Sequence, residues 1–196
     1  MRNVLVLLKN GFEEIEALTV VDYLRRADIK VDMVSTQDEL TIQGAHGIKV
    51  EANIMLSDVI SEDVDLLYIP GGMPGALDLK NDPRVVDLVK EIDKRGRIVA
   101  AICAGPIVLE EAGVIEGKEV TSFPGFEGQL PSIGKYSEEL VVVDENIVTS
   151  RGPATAVYMA LQIIELLKGS KVRESIAKDI QLDKVEQKIG MKYAQV

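Results

Sequence analysis

The sequence has little of what several classes of protein depend on. Its 196 residues include one cysteine, one histidine and no tryptophan. A single cysteine excludes an internal disulfide bond, so we expect a fold that does not need an oxidising compartment. With only one histidine and one cysteine, the sequence has no cluster of these residues of the kind that binds a metal, and we predict no metal site.

Basic charge is also scarce. Lysine and arginine total 22 against 32 aspartate and glutamate residues, which gives a net charge of −10, and the basic residues form only short pairs such as Arg25-Arg26. This balance argues against nucleic acid or an anionic membrane as a main partner. No apolar run approaches the roughly 20 residues that span a bilayer, and residues 1–3 lead into a predicted strand without the apolar stretch of a signal peptide. We therefore expect a cytoplasmic protein.

What the chain does contain is an alternation of strand and helix patterns. Apolar residues make up 46% and charged residues 28%, as in an ordinary soluble domain. The predicted strands are Val4–Leu8, Lys30–Ser35, Asp65–Ile69, Arg97–Ile102, Glu119–Thr121, Leu140–Val143 and Ile147–Thr149. The predicted helices are Glu13–Ala27, Pro83–Lys94, Ala104–Ala112 and Ala154–Lys168. Two shorter segments, Thr41–Gln43 and Ile48–Val50, flank a glycine-containing turn and predict a hairpin.

This alternation predicts one α/β domain with a doubly wound, mostly parallel sheet and a hairpin insertion. We assign residues 1–196 to this single domain, with the core at about residues 2–175. The polar segment 180–196 fits either a docked helix or a loose end, and the sequence does not choose between them.

The first predicted helix is apolar on two arcs. One arc consists of Ala17, Val20 and Leu24, and the other of Ile15, Leu18 and Val21. Such a helix is usually sandwiched between its own sheet and a second surface. That surface is either another part of the same chain or the matching helix of a second copy, and the pattern leaves both open.

The single cysteine stands at an unusual place. Cys103 directly follows the predicted strand Arg97–Ile102 and precedes the predicted helix Ala104–Ala112. A sharp strand-to-helix corner is a nucleophile elbow, which presents its side chain at the carboxyl edge of the sheet. The positive end of the following helix favours the thiolate over the thiol. A cysteine buried in the core is the alternative, but the corner position favours a nucleophile.

Two other predicted strands end in loops that can supply partners for Cys103. Gly71 and Gly72 allow backbone N–H groups to approach a reacting atom closely, and the Ala104 N–H offers a second donor for an oxyanion hole. A tight turn is the alternative explanation for the two glycines. Neither a Walker A nor a G-x-G-x-x-G pattern is present, so phosphate binding has no support.

No histidine follows Cys103 in the chain, so a carboxylate is the remaining candidate for proton transfer. Glu13 and Glu16 are three residues apart and share one face of the first helix. A glutamate held near Cys103 in a poorly hydrated site would have a raised pKa and would donate its proton to the sulfur. Complementation of the helix dipole is the alternative reason for acidic residues in a first turn.

Four short motifs occur in order along the chain. They are Gly11-Phe12-Glu13-Glu14-Ile15-Glu16, Pro70-Gly71-Gly72 followed by Gly75-Ala76, Ala101-Ile102-Cys103-Ala104-Gly105-Pro106, and Thr149-Ser150-Arg151-Gly152-Pro153. Together they resemble the DJ-1/ThiJ/PfpI superfamily over about residues 2–175. The chain is more similar to the DJ-1/ThiJ branch, because the intracellular protease branch typically has histidine where this chain has Ala104.

The resemblance implies a flavodoxin-like three-layer sandwich, usually a homodimer, that works without a cofactor. It implies an oxidation-sensitive nucleophile at Cys103, a protonated glutamate at Glu16, and oxyanion donors at Gly72 and Ala104. The other positions that it places in or near the pocket are Glu13, His46, Gly71, Phe123, Arg151 and Pro153.

Two of these positions matter for the chemistry. Many family members have histidine where this chain has Phe123, and the exchange removes a titrating group from the pocket. His46 stands near a position where some members carry an arginine that reaches into the pocket of the dimer partner. The sequence does not decide between that role and a plain hairpin residue.

The leading hypothesis is a cysteine-dependent, cofactor-free enzyme of the glyoxalase or deglycase type. Its substrate would be a small reactive aldehyde such as methylglyoxal, or an early glycation adduct. The alternative is an oxidative-stress sensor or chaperone-like protein that uses the same oxidisable cysteine without significant turnover. A cysteine protease or glutamine amidotransferase needs a histidine near the thiol, which the chain downstream of Cys103 does not supply.

Overall fold

Short apolar strands build the centre of the molecule. The computed structural model describes residues 3–190, and this part of the chain contains eleven strands. They are β1 (Asn3–Leu8), β2 (Lys30–Ser35), β3 (Thr41–Gln43), β4 (Lys49–Glu51), β5 (Ile54–Met55), β6 (Leu66–Ile69), β7 (Ile98–Ile102), β8 (Glu119–Val120), β9 (Lys135–Tyr136), β10 (Val141–Asp144) and β11 (Ile147–Ser150).

Seven of these strands form one sheet in the order β10-β11-β7-β6-β1-β2-β5. Its neighbouring strands are parallel, except that β10 and β11 are antiparallel. The prediction of a mostly parallel, doubly wound sheet is therefore confirmed. The predicted hairpin is also present, as the antiparallel pair β3 and β4, and β8 and β9 form a further small parallel pair.

Helices cover both faces of the central sheet. They are α1 (Glu14–Arg26), α2 (Gly75–Lys80), α3 (Pro83–Lys94), α4 (Pro106–Ala112), α5 (Ala156–Lys168), α6 (Ser170–Asp179) and α7 (Leu182–Ile189). Buried side chains of α1, α5 and α6 pack on one face, and those of α2, α3 and α4 pack on the other. No helix within residues 3–190 is long and apolar enough to cross a membrane.

The period of the strands explains this three-layer arrangement. Val4, Val6 and Leu8 of β1 belong to the core cluster under α1 and α5, whereas Leu5 and Leu7 belong to the cluster under α3 and α4. Successive side chains of a strand point to opposite faces, so a continuous apolar run requires cover on both sides. The fold is accordingly the flavodoxin-like sandwich that the sequence predicted.

The helix after Cys103 begins later than predicted. The sequence suggested a start at Ala104, but residues 103–105 form a turn and α4 begins at Pro106. The Gly105 N–H closes this turn by donating to the Ile102 carbonyl at 2.8 Å. Proline suits the first helical position because it has no N–H that needs a partner there.

The helices α2 and α6 were not predicted from the sequence. For the segment 180–196, which the sequence left as either a helix or a loose end, α7 shows a helix in the described part. Gly169 ends α5 as expected, with its N–H bonded to the Glu165 carbonyl at 2.8 Å, but α6 starts at the next residue. The end of α6 is tied to the end of α1 by an ion pair between Arg26 and Asp179 at 3.1 Å. A helix therefore occupies most of segment 180–190, and residues 191–196 lie outside the described residues.

The strand order places the loops that follow β1, β6 and β7 side by side. The direction in which successive strands are added reverses at β1, which has β2 on one side and β6 on the other. At such a reversal, a crevice opens outside the carboxyl ends of the strands. The β3–β4 hairpin borders this crevice, because Gly11 N–H bonds to the Gln43 carbonyl and Ala45 N–H bonds to the Phe12 carbonyl, both at 2.8 Å.

Candidate active site

The loops that follow β1, β6 and β7 surround a cavity of about 470 Å³. Its lining residues are Glu13, His46, Gly72, Met73, Cys103, Ala104, Phe123, Phe126 and Pro153. Seven of these were singled out from the sequence, whereas Met73 and Phe126 were not. The carboxyl edge of the sheet thus brings together residues that are far apart in the chain.

Cys103 is held in a backbone conformation that few residues adopt. Its φ is +62°, in the left-handed region that favours glycine. Hydrogen bonds on both sides impose this geometry: the Cys103 N–H donates to the Ser150 carbonyl, and the Cys103 carbonyl accepts from the Phe123 N–H, both at 3.0 Å. Such a conformation costs about 1–3 kcal/mol and is typical of functional sites. The corner presents the thiol to the cavity.

Glu16 lies behind Cys103 and is fully buried. Its Oε2 accepts the Gly71 N–H at 2.7 Å, while Oε1 is buried without a hydrogen-bond partner within residues 3–190. Burial raises the pKa of Glu16 to about 7, against the lowering effect of contacts with Cys103 and Gly71, and the charge of Glu13 raises it further. A protonated Glu16 would have a hydrogen to donate, and the sulfur of Cys103, which contacts this carboxyl, would accept it.

The environment acts on the thiol in two directions. Burial raises the pKa of Cys103, as do the charge and hydrogen bond of Glu16, and the N–H groups of Ala104 and Gly72 lower it by less, so the pKa lies well above that of an ordinary thiol. Two negative charges on this pair are therefore disfavoured: when the sulfur is a thiolate, Glu16 holds the proton, and when Glu16 is ionised, the sulfur keeps it. The expectation that the helix N-terminus lowers the thiol pKa is not met, because burial and Glu16 outweigh the backbone donors.

Gly71 is the spacer that permits this pair to form. A Cβ at Gly71 would lie 2.7 Å from the Cβ of Cys103, 2.7 Å from Oε2 of Glu16 and 3.0 Å from the backbone nitrogen of Ala104. No side chain fits there. The glycine pair is thus more than a tight turn, because Gly71 allows the carboxyl to reach the thiol and Gly72 supplies a donor to the sulfur.

A second group of ionisable side chains forms the rim of the cavity. Glu14 is 2% exposed and its Oε1 accepts the N–H groups of His46 at 2.8 Å and Ile48 at 3.3 Å. The Nδ1 of His46 lies 2.9 Å from Oε2 of Glu14 and 3.5 Å from Oε2 of Glu13. These carboxylates raise the pKa of His46. Sequence reasoning missed Glu14, because its partners belong to a hairpin about 30 residues away.

The same three side chains are the ones that could approach a cation. Within residues 3–190, Glu13, Glu14 and His46 bring three potential ligand atoms within 4.8 Å of one another. The Nδ1 of His46 and Oε2 of Glu14 already bond to each other. We therefore describe the group as a hydrogen-bonded carboxylate–imidazole cluster and assign no metal to it.

The remaining wall of the cavity is largely apolar. Phe123 is 43% exposed, and the Phe126 N–H bonds to the Phe123 carbonyl at 3.2 Å. One turn of the chain therefore places both rings at the cavity. Arg151 stands outside the lining. Its Nη1 lies 3.4 Å from both Thr121 Oγ1 and the Ser137 carbonyl, beside the strands that carry the site.

Comparison with known proteins identifies the family and supports the fold. A family model described as the DJ-1/PfpI family matches residues 2–166. The chain belongs to the DJ-1/PfpI family. The solved structure of oxidized Toxoplasma gondii DJ-1 is similar, with a TM-score of 0.88 at 35% identity, covering 92% of this chain and 98% of that one.

Two curated members of the DJ-1/PfpI family illustrate the range of this similarity. The chain is 36% identical over 171 residues to protein DJ-1 homolog B of Arabidopsis thaliana, which covers 87% of this chain and 39% of that protein. The chain thus spans about two fifths of the length of that relative. It is 34% identical over 173 residues to glutathione-independent glyoxalase DJR-1.2 of Caenorhabditis elegans, covering 88% of this chain and 91% of that one.

Replacement of Gly71 by alanine should break the contact between Glu16 and Cys103. The added Cβ has no room, so we expect the free energy of unfolding to fall by about 1–3 kcal/mol and alkylation of Cys103 by iodoacetamide to slow several-fold. Urea unfolding and mass spectrometry measure the two effects. Gly128→Ala is the control, because nothing lies within 4 Å of a Cβ there. Wild-type values for G71A would contradict this packing.

Glu16→Gln should flatten the dependence of stability on pH. Between its ordinary pKa of 4.5 and the raised value of about 7, folded Glu16 keeps a proton that the unfolded chain has released. The contribution of Glu16 to stability therefore falls as pH rises through this window, by at most about 3 kcal/mol. Glutamine does not ionise, so the variant should lose less. Urea unfolding at about pH 5 and about pH 7.5 tests this, with the exposed Glu174→Gln as control; equal slopes for E16Q and wild type would refute it.

Proposed function

We propose that this protein is a cofactor-free enzyme that converts small reactive aldehydes into hydroxy acids, with methylglyoxal giving lactate, or removes early glycation adducts. The observation that carries the proposal is the contact between Cys103 and the buried Glu16, with the N–H groups of Gly72 and Ala104 directed at the sulfur. The name of the Caenorhabditis elegans relative, a glutathione-independent glyoxalase, supports the same class of reaction.

The reaction begins with attack of the Cys103 sulfur on the aldehyde carbon. A C–S bond forms, the carbonyl electrons move to oxygen, and N–H donors of the loop stabilise the resulting oxyanion. Glu16 gives its proton to the oxyanion, and the resulting carboxylate moves the hydrogen of C1 to C2. The hydroxyl proton passes from the C1 oxygen to the C2 oxygen, so the adduct becomes a thioester of the hydroxy acid. Water hydrolyses the thioester, releasing the hydroxy acid and the free sulfur, so the net change is addition of one water to methylglyoxal.

The apolar wall suits a small carbonyl compound. Phe123 and Phe126 limit the water that reaches the adduct, and a poorly hydrated site strengthens the hydrogen bonds made to the oxyanion. Phe123 also means that no histidine stands on this side of the thiol. Proton transfer next to the sulfur therefore rests on Glu16.

A redox sensor is the second candidate function. Peroxide would take two electrons from the Cys103 sulfur, forming a sulfenic acid and water, and a second peroxide would give the sulfinic acid. A protonated Glu16 would donate a hydrogen bond to the oxidised group without repelling it. The oxidized form of the related Toxoplasma gondii structure is the observation that favours this alternative.

We also propose that the protein forms a homodimer through α1. Val21 and the arc of Ala17, Val20 and Leu24 are covered by the chain itself, but Ile15 is 55% exposed. Ile48 of the hairpin, 52% exposed, is brought to the same region by its hydrogen bond to Glu14. An apolar patch at the start of α1 is thus left for a second copy.

Turnover of methylglyoxal to lactate without glutathione tests the enzymatic proposal. We expect Cys103→Ser to abolish lactate formation and Glu16→Gln to lower kcat by about 10²–10⁴-fold, because proton transfer through a side chain is lost. Glu174→Gln on α6 should leave kcat unchanged. Full activity of C103S would refute the proposal.

The same preparations discriminate the redox alternative. Intact-mass measurement after mild peroxide should show two added oxygen atoms on wild type and none on C103S, which has no cysteine. This adduct together with negligible lactate formation would favour a sensor over an enzyme.

Ile15→Glu should separate the dimer. A charged side chain in an apolar contact is costly to bury, so the variant should sediment as a monomer where wild type sediments as a dimer. Analytical ultracentrifugation makes the comparison. Leu77→Glu is the control, since Leu77 is 39% exposed on α2, across the sheet from α1. Identical sedimentation of I15E and wild type would exclude this interface.

A further inference from the structure

The pair of Glu14 and His46 on the rim has no part in the chemistry described above. Both carboxylate oxygens of Glu14 form hydrogen bonds with the hairpin. Oε1 accepts the backbone N–H of His46, and Oε2 bonds to Nδ1 of its ring. His46 lines the same cavity as Cys103. One buried carboxylate therefore sets the position and the orientation of the single imidazole of the protein.

The hydrogen bond also selects the form of the ring. An ionised carboxylate only accepts hydrogen bonds, so Nδ1 of His46 carries the hydrogen toward Glu14. In the neutral ring, Nε2 then has a free lone pair. Within residues 3–190, the hydrogen bonds of the His46 ring are made through Nδ1, so Nε2 is available to a water molecule.

The proposed reaction leaves one step without a base. Hydrolysis of the thioester requires a water molecule to lose a proton as it attacks. Of the carboxyl groups around the cavity, Glu16 stands behind the sulfur, buried and bonded to Gly71, and Glu13 has its Oε2 3.5 Å from Nδ1 of His46. The walls formed by Phe123 and Phe126 cannot titrate. Imidazole is the side chain whose basicity suits proton transfer near neutral pH, and a carboxylate partner orients it.

We propose that His46, positioned by Glu14, is the base that activates the water which hydrolyses the Cys103 thioester. The inference rests on the proposed function, whose last step it completes. The water oxygen bonds to the thioester carbon while its proton passes to Nε2 of His46. The C–S bond then breaks, its electron pair stays on sulfur, and the hydroxy acid leaves. Glu14 is a positioning residue, because it acts through the ring of His46.

The rim also has the charge that this role needs. The hydrogen bond from Glu14 raises the pKa of His46, and the charge of Glu13 acts in the same direction. The role needs the neutral ring, which is the stronger base because of this raised pKa, and the adjacent carboxylates stabilise the imidazolium that results.

Hydrolysis of an acyl group placed directly on Cys103 tests this role without methylglyoxal. We would acylate the protein with p-nitrophenyl acetate and follow loss of the acetyl group by intact mass. His46→Gln should slow deacylation by about 10²-fold, because general-base catalysis is lost, while the rate of acylation stays the same. Added imidazole should restore the deacylation rate of His46→Ala, in which space is left for it.

Glu14→Gln separates positioning from mere support of the hairpin. The amide oxygen can still accept the N–H groups of His46 and Ile48, but the amide nitrogen would donate to Nδ1 and move the ring hydrogen to Nε2. Deacylation should then slow as much as in H46Q, although the fold and thermal stability of the hairpin are kept. Glu174→Gln is the matched control and should deacylate like wild type.

The outcomes separate this inference from the proposed function. Wild-type deacylation in H46Q, or in E14Q, overturns the role of the pair even if lactate is formed. If the wild type forms no lactate from methylglyoxal, the glyoxalase proposal is refuted, and the deacylation rates still decide the role of His46. In H46Q supplied with methylglyoxal, a thioester cleaved by hydroxylamine should accumulate on Cys103, and its absence during slowed turnover also contradicts the inference.

Discussion

A proton shared by a buried carboxyl and a thiol is the interaction on which the rest of this site depends. Glu16 and Cys103 are brought together by two strands that are separated by about 90 residues of chain, and Gly71 leaves the space between them. Desolvation raises the pKa of both groups, so both cannot be ionised at neutrality. The backbone donors of Gly72 and Ala104 then favour negative charge on the sulfur. The nucleophilicity and the oxidation sensitivity that we propose for Cys103 both depend on this balance.

Two glutamates in one helical turn show how closely this chemistry depends on surroundings. Glu14 and Glu16 are both buried, yet their pKa values move in opposite directions. Burial acts to raise both, but hydrogen bonds from His46, and from the Ile48 backbone, outweigh it at Glu14. Glu16 has a single backbone donor, and one of its oxygens is left over. Glu14 is therefore a fixed anion that organises the hairpin, while Glu16 is free to move a proton.

The cavity of this member of the DJ-1/PfpI family has an apolar part and a titrating part. Phe123 and Phe126 line it with apolar rings, and the imidazole of His46 lines it from a hairpin that Glu14 anchors. Apolar rings limit the water in the cavity and so strengthen hydrogen bonds made there. Both proposed functions use the thiol in this cavity, and the proposed hydrolysis also uses the imidazole.

The sequence alone determined the layers of the fold and predicted the candidate nucleophile, because periodicity and a strand-to-helix corner are local signals that the chain carries in neighbouring residues. It also predicted roles for Glu16, Gly72 and Ala104. It did not predict the helices α2 and α6, nor the start of α4 at Pro106, which follows a turn closed by the Gly105 N–H. Only the tertiary structure decided that Glu14 binds His46, that Phe126 joins Phe123, and that Arg151 stands aside, because each depends on contacts between segments distant in the chain or on the path of a loop.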